Sequence, residues 1–297
     1  MSELESYLKA GKSAAEVLKR VPSIIQEGMP ILDLCEKIED MILQLGVQIS
    51  FPVNVAQDNE AAHYTASYND TKKIKDNSVV KVDIGTHLDG FIADTAITIS
   101  FNSKYDRLVK SNNEILSEAL RTLRPGLKFS ELGGLIEDRA REMGFGMIEN
   151  LSGHRLDQYI LHANESIPMI RTPVRNEFKP NTAYAIEPFL VERNESGFVV
   201  DGNGSNIMSL INPRRNKVKE LDELTHDIWK KYRGLPFASR WLVRDHGEGV
   251  LKKLHELIRI NALMEYPTLL EVKGGYVSQF EHTVFITQDG AVVTSER

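Results

Sequence analysis

The sequence predicts an α+β fold in which two related halves meet around a mostly antiparallel sheet, with a helical insert in the second half. Three observations predict it. A pattern of six identities recurs at an offset of 98 residues. Each copy is followed by alternating, strand-like segments with tight turns. Between about residues 207 and 270 the apolar period becomes that of amphipathic helices.

The repeat begins with a pair of helices in each half. Apolar residues at three- and four-residue steps predict helices over residues 1–20 and 34–45, and Gly46 ends the second of them. The second half predicts helices over residues 105–123 and 130–143. Six identities in nineteen aligned positions then fall in the same frame. Two copies are too few for a solenoid, so we predict two halves related by a pseudo-twofold axis.

Strand-like segments follow each helix pair. Alternating apolar residues and turn chemistry predict strands in both halves, at residues 78–84, 91–100, 183–191, 197–201, 276–287 and 291–294. The Leu88-Asp89-Gly90 segment predicts a tight turn in the first half.

Four of these strands carry a carboxylate where an apolar residue is expected. They are Asp83 and Asp94 in the first half, and Glu187 and Glu281 in the second. A buried carboxylate is costly unless it is paired or binds a cation. Four of them in apolar strands therefore predict a shared cation site rather than four surface acids. A symmetric hairpin places Asp83 opposite Asp94, and a bulge at Gly90 would displace them by about one residue.

Three histidines add to this pattern. His154 and His162 are an even number of residues apart, which places them on one face if the segment is extended. The repeat offset carries His63 to position 161, next to His162. One histidine with four carboxylates is a ligand set for two divalent cations, because four negative charges balance two such ions.

Composition limits the class of protein. The chain has 297 residues, 41% of them hydrophobic and 26% charged, with a formal net charge of −6. These are ordinary globular values, and the acidic balance argues against non-specific coating of nucleic acid. No apolar stretch reaches the length of a membrane span, so no membrane partner is expected. With one cysteine, Cys35, and no signal-peptide pattern, we expect a reducing, cytoplasmic location.

At the site residues the sequence resembles a known family. The motifs, in chain order, are Asn-Glu-Ala-Ala-His63-Tyr, Lys-Val-Asp83-Ile-Gly-Thr-His, Asp94, Ser-Gly-His154, His162-Ala, Ala-Ile-Glu187 and Gln-Phe-Glu281-His-Thr. Found in this order over nearly the whole chain, they resemble the methionine aminopeptidases, which are pita-bread metallopeptidases of family M24. The first and last motifs and the insert are similar to the type 2 enzymes. A chain that starts at the catalytic domain is similar to the archaeal forms.

The resemblance implies a fold and a metal site. We expect a pita-bread catalytic domain over residues 1–206 and 271–297, and a winged-helix-like insertion subdomain over residues 207–270. By similarity, Asp83 binds one metal ion, Asp94 and Glu281 bridge two ions, and His154 and Glu187 complete the second. Cobalt, manganese, iron and zinc all suit these ligands.

The resemblance also implies roles in catalysis and substrate binding. His162 would polarise the scissile carbonyl, His63 would contact the substrate amide, and Glu187 would carry a proton to the leaving amine. Phe51 and Leu161 would form walls of an apolar pocket for methionine. The implied function is removal of the initiator methionine from nascent polypeptide N-termini when the second residue is small and uncharged.

Two other classes of protein share this scaffold. X-Pro dipeptidases and aminopeptidase P usually have a further N-terminal domain, for which this chain has no room. Some non-catalytic relatives keep the fold, lose ligands and bind RNA or proteins, whereas all five ligand positions are filled here. Both alternatives are therefore less favoured than a methionine aminopeptidase.

The insert has a charge opposite to that of the rest of the chain. From Arg214 to Lys253, eleven lysines and arginines oppose six acids, so this segment carries +5 and the remainder −11. Such asymmetry can orient a protein toward an anionic surface. We therefore hypothesise that the insert faces the ribosome, with a solvated helical face as the simpler interpretation. We expect a monomer and no specific DNA partner.

Overall fold

The computed structural model describes residues 2–213 and 218–296. The amphipathic segments in these ranges form seven α-helices, which are α1 (Glu3–Arg20), α2 (Ile31–Gln44), α3 (Asp106–Leu120), α4 (Phe129–Glu142), α5 (Lys219–Tyr232), α6 (Ser239–His246) and α7 (Val250–Arg259). Ser2 begins α1 with a capping box, in which its hydroxyl accepts from Glu5 N and the Glu5 carboxylate accepts from Ser2 N. No helix within the described ranges is long and apolar enough to cross a membrane.

Seventeen strands are formed by the described residues. They are β1 (Gln48–Gln57), β2 (Glu60–Ala62), β3 (Val79–Leu88), β4 (Phe91–Ser100), β5 (Phe145–Met147), β6 (Ser152–Leu156), β7 (Ser166–Pro168), β8 (Thr182–Ile186), β9 (Phe189–Glu192), β10 (Val199–Asp201), β11 (Ile207–Leu210), β12 (Phe237–Ala238), β13 (Leu263–Tyr266), β14 (Leu269–Glu271), β15 (Ser278–Gln279), β16 (His282–Ile286) and β17 (Ala291–Val293). Every ladder between these strands is antiparallel. The predicted α+β fold with a mostly antiparallel sheet is confirmed.

The two halves share the turn that precedes their second helix. Gly28 and Gly126 both take left-handed φ angles, 79° and 77°, which glycine adopts without steric cost. Gly28 N donates to Ile74 O at 2.8 Å, and Gly126 N donates to Phe178 O at 2.9 Å. The two equivalent turns therefore make equivalent long-range contacts, as a duplicated unit would.

The sheets of the two halves meet where β4 lies beside the start of β16. One has the order β1-β3-β4 and the other β17-β16-β8-β6-β7. The backbones of Ala96 on β4 and Glu281 beside β16 exchange hydrogen bonds of 3.4 and 3.2 Å. The Thr283 hydroxyl accepts from Asp94 N at 2.7 Å and donates to Asp94 O at 2.8 Å. This junction places Asp94 and Glu281 side by side.

The register predicted for the β3–β4 hairpin is wrong by two residues. Asp83 pairs with Ala96, and Asp94 pairs with Gly85, so the two aspartates are diagonal neighbours rather than direct partners. The reason is the loop, which contains only residues 89–90, both with positive φ, as a tight two-residue hairpin requires. A two-residue offset preserves the face, so both side chains still point the same way.

Two predicted strands are interrupted, and a carboxylate lies at each interruption. Residues 183–191 divide into β8 and β9 around Glu187-Pro188, because proline has no N–H to donate to a ladder. Residues 276–287 divide into β15 and β16 around Phe280-Glu281, where the Glu281 backbone pairs with β4 instead. These breaks release both glutamates from a regular pleat.

The insert has an apolar core of its own, to which Leu221, Ile228, Trp241 and Leu254 contribute. The amphipathic helices predicted between residues 207 and 270 are α5 and α7; helix α6 and strands β11, β12 and β13 were not predicted. Helix α6 is only eight residues long, too short for a clear helical period. The division at residues 207–270 remains our proposal.

Candidate metal and substrate site

A cavity of about 400 Å³ lies where the two halves and the insert meet. All nine residues that the sequence singled out as site residues line it. They are Phe51, His63, Asp83, Asp94, His154, Leu161, His162, Glu187 and Glu281. Their placement together follows from the sheet junction, since they come from both halves of the chain.

The carboxylates and one histidine converge at the base of the cavity. His154 Nε2 lies 3.4 Å from Asp94 Oδ2 and 3.6 Å from Glu187 Oε1. One ligand atom from each of Asp94, His154 and Glu281 lies within 4.8 Å of the other two. Such a group of buried oxygen and nitrogen ligands suits a divalent ion.

Gln279 connects the two remaining carboxylates of this group. Its Nε2 donates to Asp83 Oδ2 and to Glu187 Oε2, each at 3.5 Å. Its role was not predicted, although it begins the Gln-Phe-Glu motif that contains Glu281. An amide donor between two carboxylates holds them at a fixed separation without neutralising either one.

The buried carboxyls repel one another. Burial raises the pKa of Asp94 to about 7. Burial, followed by the charge of Asp94, raises the pKa of Asp83, Glu187 and Glu281 well above the ordinary carboxyl range. Asp94 is thus the neighbouring charge with the largest effect on the pKa of each of the other three carboxyls. A cluster of this kind is stable in ionised form only when positive charge compensates it.

Unpaired atoms provide a further test of whether the site fits metal ions. Within the described residues, the buried atoms Asp83 Oδ1, Asp94 Oδ1 and both carboxylate oxygens of Glu281 have no hydrogen-bond partner. Buried polar atoms nearly always have a hydrogen-bond partner. Several carboxylate oxygens without a partner in one cluster therefore indicate binding partners of positive charge. The residues present therefore fit divalent cations.

The three histidines line the cavity above the carboxylates. The rings of His154 and His162 are 4.4 Å apart between centroids, although the segment between them is not extended, which was the condition for placing them on one face. The chain reverses after β6, and Ala163 N donates back to Arg155 O at 2.9 Å. Burial lowers the pKa of His154 to about 4 and that of His162 to about 3, so both rings are neutral near pH 7.

His63 reaches the cavity through an uncommon backbone conformation. Its φ is 63°, in the left-handed region that few non-glycine residues adopt. Its Nδ1 lies 3.3 Å from Pro267 O, and a carbonyl only accepts, so Nδ1 carries the proton. Burial lowers the pKa of His63 to about 4. The neutral ring therefore presents Nε2 as an acceptor.

The apolar part of the cavity comes from both halves of the chain and from the predicted insert. Phe51 and Leu161 belong to one buried apolar cluster and line the cavity. Ile207, Pro236 and Tyr266 line it from the insert. The sequence did not predict these three, because no local pattern indicates which face of the insert packs over the site.

Comparison with known proteins places this geometry in a family. The model of metallopeptidase family M24 matches residues 5–288. The chain belongs to metallopeptidase family M24. Among its M24 relatives, the methionine aminopeptidase of Thermococcus onnurineus is 40% identical and that of Saccharolobus solfataricus 38%. These alignments cover 99% of this chain in both cases, and 100% and 98% of the relatives.

Solved structures show the same M24 fold. A methionine aminopeptidase of Thermotoga maritima matches with a TM-score of 0.71 at 21% identity, covering 99% of this chain and 97% of that one. A thermophilic Arx1 matches with a TM-score of 0.83 at 17% identity over 98% and 90%. The expected pita-bread fold is confirmed.

Proposed function

We propose that this protein is a metal-dependent methionine aminopeptidase, which hydrolyses the bond after an N-terminal methionine. The expected class of activity is confirmed by relatives named methionine aminopeptidase that match the full chain at up to 40% identity. The observation that carries the chemistry is the buried group of Asp94, His154 and Glu281. In ionised form this group needs compensating cations.

The proposed metal ligands are the four buried carboxylates and His154. Asp83, Asp94, His154, Glu187 and Glu281 would hold two divalent ions. When bound, such ions lower the pKa of water and polarise a carbonyl oxygen. Since His154 is neutral near pH 7, its ring nitrogen is available as a ligand without loss of a proton.

The other side chains would bind and orient the substrate. Phe51 and Leu161 provide apolar walls for the methionine side chain. His63 would accept the substrate amide N–H at Nε2, because its Nδ1 proton is directed at Pro267 O. His162 would donate to the scissile carbonyl oxygen and stabilise the charge that develops there.

Glu187 is the proposed proton carrier. Burial and its carboxylate neighbours raise its pKa, so it can take up a proton from a water molecule and release it to the leaving amine. Its Oε2 accepts from Gln279, and its Oε1 lies 3.6 Å from His154 Nε2.

A panel of peptides tests this function. Metal-loaded protein should release methionine from Met-Ala-Ser, act weakly on Met-Lys-Ser because the second residue is large and charged, and leave Ala-Pro and Gly-Pro intact. The X-Pro alternative predicts the opposite order. The prolidase of Pyrococcus furiosus, with a TM-score of 0.59 and 18% identity, resembles this chain in fold only. A non-catalytic relative would release nothing.

We also propose a cytoplasmic protein whose substrates are nascent polypeptide N-termini and whose basic insert faces the ribosome. Of the eleven insert cations, Arg214, Arg215 and Lys217 lie outside the described residues, and Arg240 is buried. Lys230, Lys231 and Arg233 are exposed on one end of α5, although Lys231 pairs with Asp245 at 2.6 Å.

Co-sedimentation with ribosomes across a salt series tests the proposed partner. Binding by this surface should weaken as salt rises and when Lys230, Lys231 and Arg233 are changed to Glu. The matched control reverses Lys9, Lys12 and Lys19 on α1, at another surface of the molecule. Equal binding by both variants, or none by wild type, would leave the insert without this role.

A further inference from the structure

A buried ion pair connects the insert to helix α2 in the first half of the chain. Arg240 on α6 contacts the carboxylate of Glu39 on α2, and the two residues are only 4% and 5% exposed. Trp241 Nε1 donates to the other carboxylate oxygen of Glu39 at 2.9 Å. The two partners are 201 residues apart in sequence, so only the folded insert brings them together.

Arg240 also holds the segment that follows His63. Its Nη1 donates to Thr65 Oγ1 at 2.7 Å and to Ala66 O at 2.9 Å. Arginine suits this position because its planar fork makes several hydrogen bonds in fixed directions, whereas a lysine ammonium offers a single compact charge. The guanidinium therefore binds the Glu39 carboxylate, the Thr65 hydroxyl and the Ala66 carbonyl at the same time.

The same contacts extend to the strand that carries Phe51. Thr65 Oγ1 donates to Val53 O at 2.7 Å, and Glu39 Oε1 accepts from Val53 N at 3.3 Å. Val53 is two residues after Phe51 on β1, and Thr65 is two residues after His63. The network therefore contacts Val53 and Thr65, and each of them lies two residues after a side chain that lines the cavity, Phe51 or His63.

Asn206, the residue before the predicted insert, and Pro267, near the end of the insert, hold this segment at two more points. Asn206 Nδ2 donates to Thr65 O at 3.3 Å, and Ser239 N donates to Asn206 O at 2.9 Å. On the other side, His63 Nδ1 donates to Pro267 O, where the chain leaves the insert. The strained φ of His63 is thus held between contacts at the two ends of the insert, as a strained functional residue requires.

We propose that Arg240 is a positioning residue, which aligns His63 and Phe51 with the substrate through Thr65 and Val53. A buried ion pair is weak evidence for stability in itself, and its best-attested value is in specifying one arrangement. The inference rests on the proposed function, since it assigns these two side chains to substrate binding. It makes the insert part of the substrate site rather than an appendage.

Two variants test the proposal. Arg240→Lys keeps the charge beside Glu39 but cannot reproduce the fork to Thr65 and Ala66. Thr65→Val keeps the shape and removes the hydroxyl that contacts Val53 O. The matched control is Arg139→Lys, since Arg139 makes a two-pronged contact with Glu118 at 2.7 and 3.0 Å away from the cavity.

The measurements are kcat and KM for Met-Ala-Ser and Ala-Ala-Ser, bound metal per chain, and Tm. We expect kcat/KM for the methionine peptide to fall about tenfold or more in both test variants, with unchanged metal content. The ratio of kcat/KM for the methionine peptide to that for the alanine peptide should also fall. Loss of stability alone would not change this ratio. The control variant should keep wild-type kinetics.

Each outcome bears on the proposal separately from the proposed function. Wild-type protein that releases no methionine would refute the function, whatever the variants do. Active wild type with wild-type selectivity in folded Arg240→Lys and Thr65→Val would overturn the positioning role. If Arg240→Lys fails to fold, Thr65→Val decides: reduced selectivity supports the role, and unchanged selectivity overturns it.

Discussion

Asp94 is the position at which stability and activity should change in opposite directions. It is 4% exposed, and its charge raises the pKa of Asp83, Glu187 and Glu281. Asp94→Asn removes that charge and keeps the shape of the side chain. Without metal, the variant should relieve repulsion in the cluster. With metal supplied, the variant lacks a proposed bridging ligand, so turnover should be abolished.

The size of the stability effect follows from the pKa of Asp94. Its folded pKa of about 7 exceeds the ordinary value of 3.8, which corresponds to roughly 4 kcal/mol of unfavourable ionisation above pH 7. For an acid with a raised folded pKa, the native state binds more protons than the unfolded state between these values. The free energy of unfolding therefore falls as pH rises from about 4 to about 7.

The assay is urea unfolding of chelator-treated protein at pH 4 and pH 8, analysed by linear extrapolation. We expect Asp94→Asn and wild type to be similar at pH 4, and the variant to be more stable by a few kcal/mol at pH 8. Asp76→Asn is the matched control, because Asp76 is exposed and distant from the cluster. That variant should follow wild type at both pH values.

Two results would refute this reasoning. A metal-free Asp94→Asn protein that is less stable than wild type at pH 8 would mean that the carboxylate stabilises the fold rather than straining it. Near-wild-type kcat in the metal-loaded variant would mean that Asp94 is not a metal ligand.

The other predictions concern the groups around this carboxylate. His154→Ala should lose bound metal, whereas His162→Ala should keep metal and lower kcat; metal titration showing the reverse would exchange their roles. Gly85→Ala should raise KM for methionine peptides and cost about 1–3 kcal/mol, because its Cβ would lie 2.2 Å from the Phe51 ring; unchanged KM would exclude Phe51 as a wall. Gln279→Ala should weaken metal affinity about 10- to 100-fold by releasing two carboxylates, measured by competition with a chelator, and equal affinity would show that Gln279 has no such role.

Much of the site could be predicted because charged residues occur in the sequence within segments that should form buried strands. Asp83 and Asp94 lie within runs of residues that favour buried strands, and such a conflict is expected at functional sites. The repeat at 98 residues then indicated that both halves contribute to one site. The nine predicted site residues all line the cavity, although their individual roles stay predictions.

What the sequence could not predict depends on contacts between distant segments. The β3–β4 register depends on Asp89 and Gly90, which have positive φ and form the loop, whereas the predicted hairpin was centred one residue earlier. Arg240 was counted with the surface charges of the insert. Nothing near it in sequence indicates that it is buried in an ion pair with Glu39. Tyr266 reaches the cavity only because the insert packs over the site.

The central claim is that buried carboxylates and His154 hold divalent metal for hydrolysis after methionine. The most direct test is methionine release from Met-Ala-Ser by chelator-treated protein, before and after reconstitution with manganese, cobalt, iron or zinc. We predict no release without metal and restored release with at least one of them. Release that persists in metal-free protein, or none with any of the four ions bound, would contradict the claim.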